Sequence, residues 1–298
     1  MTKLAELAFS GTTRGALYAL VALGFVIIYK STGVINFAQG GLVLVGMYLT
    51  YNAHVTWGLP FWLAVVVAAA LTALTAALVE RAVLRRMIGQ PAFSILMVTL
   101  GLLIVVQQVI PAVWGYDRLN LGDPWGVRKI SLGGVNVEVK DLWTLGLTAV
   151  VLVSFFAFFR FSRYGLAMRA SSFDQEAAMA QGISAGRVAC VSWAMAGLVA
   201  TLAGVMLAAG SGGLEPGRDV IALAAFPAII LGGLDSPLGA VVGSFVIGLS
   251  QSLTAGYQPE HAAFLGEGFD AVLPYVVMVL ILLVRPQGLF GTRAVVRV

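Results

Sequence analysis

Charge is scarce in this sequence. Only 11% of its 298 residues are charged, against about 25% in ordinary soluble domains. With 59% hydrophobic residues and a mean hydropathy of +0.94, the chain reads as a polytopic membrane protein. Cysteine is scarcer still. Cys190 stands alone, which excludes an internal disulfide and a multi-cysteine metal site, and its apolar surroundings make it a small buried residue. The two histidines, His54 and His261, lie far apart near span ends, so zinc-ligand spacing is absent. The sequence has no HExxH, no Ser–His–Asp set at motif spacing and no carboxylate pair inside a span. Those absences argue against an enzyme and leave no catalytic, metal or cofactor residues to name. There is no GxxxxGKS or GxxxxGKT loop either, so any ATP this protein uses is bound by another chain.

Long apolar runs make up most of what is present. A span needs about 20 predominantly apolar residues, and runs over 10–29, 37–53, 61–79, 93–113, 142–159, 188–209, 220–234, 237–255 and 271–284 qualify or come close. The expected fold is an all-α bundle of eight to nine transmembrane segments forming one domain, 1–298. Lys3 and Arg14 precede the first run, but no small-residue cleavage site follows it, so it reads as a retained span. Run 220–234 is short and holds Pro227, so a broken crossing is expected there. Small-residue spacings at Gly239 and Gly243, and at Ala200, Gly204 and Ala208, suit close helix packing in lipid. Loop 114–141 carries turn signals at Gly122–Pro124 and Gly133–Gly134. Val135, Val137 and Val139 alternate beside the second turn, which predicts a small β-hairpin.

The excess of basic residues, 18 against 14, concentrates in loops and so speaks for membrane topology and against nucleic acid. Arg81, Arg85, Arg86, the four arginines of 160–187, and Arg285, Arg293 and Arg297 fall on one side; the other holds Arg118, Arg128, Lys129, Lys140 and Arg218. The first side is expected to be cytoplasmic, with the C-terminus. Charge within the spans is nearly absent: Glu80 sits at a span end beside Arg81, and Asp235 lies in the turn LGGLDSPLG. Ion-coupled carriers depend on titratable or ion-binding groups at mid-membrane depth. An ion-coupled carrier, or a channel, therefore stands as the alternative to a partner-driven transporter.

Segment 160–187 is the polar interruption. Ser172 and Gln175 have capping-box spacing, Asp174 and Glu176 suit the positive end of a helix, and Gly182 suits a left-handed stop. These signals predict a helix of about nine residues, roughly 14 Å long, with Phe173, Ala177 and Ala180 on its apolar face. So short a helix needs packing or a partner. Ser184 can start the next helix, and Arg160 and Arg163 mark the membrane boundary. Within the segment, Glu176-Ala177-Ala178 followed by Gly182 has the EAA-xxx-G spacing of the loop by which importer permeases dock on their ATPases.

Several stretches now agree: GVINFAQGG (33–41), LVERAVLRR (78–86), RASSFDQEAAMAQG (169–182), AIILGGLDSPLGAVVGS (228–244) and RPQGLFG (285–291). Through them the chain resembles the LivH-type permease subunits of branched-chain amino acid ABC importers. The resemblance implies a multi-pass protein of the bacterial inner membrane that works by ATP-driven alternating access. It also implies a second related permease, two ATP-binding cassette subunits and an extracytoplasmic solute-binding protein as partners. Arg169, Phe173, Asp174, Gln175, Glu176, Ala177, Ala178, Met179 and Gly182 become the ATPase-coupling candidates. Asn36, Gln39, Pro227, Gly232 and Gly233 are the pathway candidates. Many relatives carry His where Gln39 stands and an acidic residue where Gly41 stands, and others move urea or short amides, so the cargo is left open between these classes.

Overall fold

The computed structural model describes residues 2–132, 135–173, 175–210 and 212–291, without the side chains of Thr2, Leu132, Val135, Phe173, Gln175 and Glu176. Gly133 and Gly134, expected at a hairpin turn, and Arg293 and Arg297, part of the charge pattern, lie outside the described residues. Every apolar run became a helix. In chain order these are α1 (Thr2–Thr32), α2 (Gln39–Tyr51), α3 (Phe61–Ala82), α4 (Ala92–Trp114), α5 (Val139–Phe161), α6 (Arg163–Phe173), α7 (Gln175–Ala180), α8 (Ala185–Ala208), α9 (Val220–Gly232), α10 (Pro237–His261) and α11 (Phe269–Val284). Strands β1 (Lys129–Leu132) and β2 (Val135–Glu138) form the expected antiparallel hairpin, with Lys129 opposite Glu138 and Ile130 opposite Val137. The protein is thus all-α and polytopic apart from this hairpin. Among the described residues, six helices are long and apolar enough to cross a membrane: α1, α3, α4, α5, α8 and α10.

Helix α1 is the axis of the bundle. It starts at Thr2, eight residues before the apolar run, and its 31 residues span about 46 Å. The charges near its start are tolerated because they find partners: Lys3 pairs with Glu260 at 2.5 Å, and Arg14 lies 3.7 Å from Asp270. Leu20, Val21, Leu23 and Ile27 are buried, and a helix apolar on all faces belongs inside. Close approach to α10 depends on missing side chains. A Cβ on Gly11 would lie 2.8 Å from Leu249 Cα, and one on Gly15 would lie 2.8 Å from Phe245 Cα. The small-residue spacings serve the same purpose elsewhere: Gly204 of α8 abuts the Val43 carbonyl of α2, and Gly239 and Gly243 of α10 abut α9. Cys190 is half-buried where full burial was expected.

One end of the bundle gathers the arginines and the other gathers aromatics. Phe61, Trp62, Trp125 and Trp143 form a cluster with ring centroids 5.1–5.9 Å apart, the kind of belt that marks a membrane–water boundary. The loop over that end is tied down: Leu119 and Leu214 exchange backbone hydrogen bonds of 2.9 and 2.8 Å. Asp123 accepts from Trp125 N–H (3.1 Å), Gly126 N–H (2.9 Å) and, across the loop, Gly210 N–H (2.8 Å).

Helices α2 and α9 have only 13 residues each, about 20 Å, too short for a hydrocarbon core of about 30 Å. A π turn, Asn52–Thr56, extends α2 toward the aromatic end. The remaining depth is covered by non-helical chain, residues 33–38 before α2 and 212–219 before α9.

Candidate functional site

The polar segment is helical on both sides of Asp174, as α6 and α7. Its start lies upstream of the predicted cap. Ser162 Oγ accepts the Gly165 N–H at 2.8 Å and opens α6. Ser172 lies inside that helix, where its hydroxyl donates to the Arg169 carbonyl at 2.8 Å. The capping box expected between Ser172 and Gln175 turns on Asp174 and the Gln175 side chain, which lie outside the described residues. Arg160 and Arg163 accordingly do more than mark a boundary: Arg163 begins α6, and the Arg160 carbonyl accepts from Arg169 Nη2 at 3.3 Å. The predicted stop holds. Gly182 has φ +83°, its N–H donates to Met179 O at 2.9 Å, and Ile183 N–H donates to Ala178 O at 3.1 Å. Ser184 Oγ then accepts Arg187 N–H and starts α8.

Of the coupling candidates, Met179 (48% exposed), Ala177 and Gly182 are on the surface, and Ala178 packs inward. Ala180, expected on the apolar face with Ala177, is likewise exposed. Arg169 folds back with its guanidinium 5.8 Å from the Phe159 ring centre, bracing α6 on α5. Asp174 and the side chains of Phe173, Gln175 and Glu176 lie outside the described residues.

Where this segment enters α8, a clamp ties it to α3. Glu80 is 1% exposed and accepts from Arg85 Nη2 (3.0 Å) and Nε (3.4 Å); the same Nη2 donates to the Gly186 carbonyl at 2.7 Å. Its ion-pair partner is therefore Arg85, five residues on. The 3-10 turn Leu84–Met87 brings Arg85 back over the end of α3. Glu80 also helps line a cavity of about 400 Å³ with Ile28, Asn36, Ile95, Thr99 and Trp193.

The pathway candidates separate into two groups. Asn36 and Gln39 meet at the break between α1 and α2. Asn36 is 1% exposed; its Oδ1 accepts from Ala38 N–H at 3.0 Å, and its Nδ2 has no hydrogen-bond partner among the described residues. Gln39 is fully buried against Gly24 of α1, with Nε2 3.5 Å from the Ala196 carbonyl of α8. Ala196 lies 11 residues into α8, so this amide sits about 16 Å from that helix's start. Pro227 is buried inside α9. Gly232 and Gly233 lie at the arginine end, about 18 Å along α9 from Val220. There Leu289 N–H and Phe290 N–H donate to the Leu231 and Gly232 carbonyls (2.8 and 3.0 Å), joining RPQGLFG to the GGLDSPLG turn.

A buried carboxyl group between the helices was missed. Asp219 reads in sequence as the end of a loop, yet it is 3% exposed and accepts from Gln107 Nε2 of α4 at 2.6 Å. Gln107 is seven residues short of Trp114, about 10 Å below that end of α4. The available signal was length: a 13-residue helix leaves its flank inside the membrane.

Residues 7–282 match the family described as branched-chain amino acid transport system, permease component. The high-affinity branched-chain amino acid transport system permease protein LivH of Escherichia coli K12 is 27% identical, over 97% of this chain and 96% of its own. BraD of Pseudomonas aeruginosa, described as a permease protein of the same kind of system, is 26% identical over the same shares. A solved structure, PsaBC from Streptococcus pneumoniae in complex with Fab, covers 93% of this chain and 91% of its own at 16% identity and a TM-score of 0.50, a likeness of fold alone. The family match covers almost the whole bundle, both helix breaks and the polar segment together, and this chain belongs to the branched-chain amino acid transport permease family.

Proposed function

We propose that the chain is the permease subunit of an ABC importer and moves branched-chain amino acids, or a related small polar solute, by ATP-driven alternating access. One observation carries this reading. The polar segment α6–α7 stands exposed at the arginine end, and the Arg85 clamp joins its exit to α3 and to the cavity wall at Glu80. An ATPase pressing on Ala177, Met179 and the Gly182 turn would then move α8 and α3 together. Phe173, Asp174, Gln175 and Glu176 belong to the same proposed contact. Arg169 holds α6 against α5 and acts by positioning.

In this reading 1–298 is one transmembrane domain. Counting α2 and α9 with their non-helical leads gives nine crossings, with the N-terminus outside and the C-terminus cytoplasmic beside the arginines. The partners are two ATP-binding cassette subunits, a second related permease and an extracytoplasmic binding protein. That binding protein would meet the aromatic end and the hairpin. The chain itself performs no bond chemistry and carries no nucleotide-binding loop.

A second reading, an ion-coupled carrier, is favoured by one observation: Asp219 places a carboxylate at membrane depth. Reconstitution in liposomes with the candidate ATPases and binding protein separates the two. Leucine uptake that requires ATP is the expected result. Uptake driven by an ion gradient in the absence of ATP would establish the carrier.

A further inference from the structure

We infer that Asp219, with the facing N-terminus of α2, forms a recognition site for a small zwitterion, the carboxylate of Asp219 taking the primary ammonium. The inference rests on the importer reading for its cargo class, and on the following geometry for its place. The two short helices start against each other inside the membrane. A Cβ on Gly40, in the first turn of α2, would lie 3.0 Å from Asp219 O, 3.2 Å from Asp219 Cβ and 3.1 Å from Ala222 Cβ. Neither helix start is closed by a side chain: Ala38 precedes α2 and has no group to do so, and Asp219, which precedes α9, makes no side-chain cap hydrogen bond.

The independent observation is the carboxylate itself. Oδ2 takes the Gln107 amide at 2.6 Å, while Oδ1 is buried with no hydrogen-bond partner among the described residues. Asp219 makes no ion pair among them. Its neighbour Arg218 pairs instead with Glu215 at 3.0 Å and donates to the Gly212 carbonyl. A buried carboxylate with one neutral donor and one unmatched oxygen is strongly selective for a cation that can donate hydrogen bonds. A primary ammonium has three such donors.

The same place suits the other half of a zwitterion. The Gln39 N–H donates to the Asn36 carbonyl at 3.3 Å, but the next N–H groups of α2 lack intrahelical acceptors, and the positive end of a helix dipole attracts a carboxylate. Gly40 and Gly41 are both buried here, with α9 packed on Gly40 and Val106 of α4 bordering Gly41 at 3.3 Å as an apolar wall. Broken helices whose ends meet at membrane depth are a recurrent way to bind a charged solute away from water.

The test uses the complete importer in nanodiscs and a hydrophobic carbodiimide, which modifies buried carboxyl groups, with labelling at Asp219 read by peptide mass spectrometry. Leucine and 3-methylbutylamine should both protect Asp219, and 4-methylpentanoate, which lacks the amine, should not. Equal protection by all three, protection by none, or protection by sodium alone would overturn the assignment. In liposomes, Asp219→Asn should lower ATP-driven leucine uptake by about tenfold or more, the loss expected for one charge-assisted hydrogen bond, with the ATPase subunits still co-purifying. Asp219→Glu should recover part of the uptake. Wild-type uptake in Asp219→Asn removes the site and leaves the importer reading standing. Absence of ATP-driven uptake in the unmodified complex removes the importer reading, while the labelling result still decides the site. Should Asp219→Asn not assemble, the labelling experiment, which needs no variant, decides alone.

Discussion

Arg85→Met is the perturbation that tests the clamp most sharply. It removes both donors from the Glu80 carboxylate, at 3.0 and 3.4 Å, and the donor to the Gly186 carbonyl at 2.7 Å. Stranding a fully buried charge costs about 3–5 kcal/mol. The Glu80 side chain is 1% exposed but that of Arg85 is 34% exposed, so water already weakens the pair, and about 2 kcal/mol is a better expectation. The unpartnered Gly186 carbonyl adds about 1 kcal/mol, for a total of about 3 kcal/mol. Adding Glu80→Gln removes the stranded charge, so the double variant should regain about 2 kcal/mol over Arg85→Met alone. Denaturant unfolding in detergent micelles, followed by tryptophan fluorescence on all four members of the cycle, measures this. The reasoning is refuted if Arg85→Met costs less than about 0.5 kcal/mol, or if the double variant is no more stable than the single one. Either result would mean that Glu80 is held neutral or hydrated and that Arg85 is not its support.

Other substitutions probe separate parts of the fold. Gly15→Leu puts a side chain where a Cβ alone would lie 2.8 Å from Phe245 Cα and should cost about 3 kcal/mol or prevent folding. Gly101→Leu on α4, where a Cβ meets nothing within 4 Å, should be tolerated; the yield of monodisperse protein compares the two. Asp123→Ala removes acceptors for three backbone N–H groups and should speed proteolysis within residues 115–128 while leaving helical circular dichroism unchanged. A wild-type cleavage rate would show that the loop is held by other contacts.

Much of this architecture is legible without coordinates because lipid imposes a simple rule. Backbone groups in a hydrocarbon core must bond within their own segment, so apolar runs become helices. The Gly182 stop was readable too, since a positive φ at a helix end strongly favours glycine. The opening of α6 at Ser162 was not legible, because Gly165 stands three residues later where a capping box would show Glu or Gln. In sequence Glu80 has Arg81 as its neighbour, but adjacent residues on a helix point about 100° apart. The turn after α3 delivered Arg85 instead.

The sequence by itself determined that this is a membrane-embedded helical permease with one polar segment between spans, because composition, apolar run length and family stretches are all local properties. Tertiary structure decided where the two short helices begin in depth, and therefore that Asp219 is buried against Gln107, 112 residues away. Glycines let α1 and α10, α2 and α8, and α9 and α10 approach closely, and that packing draws the chain before α2 and α9 inward. A carboxylate's meaning depends on the medium around it, and only the packed bundle supplies that medium.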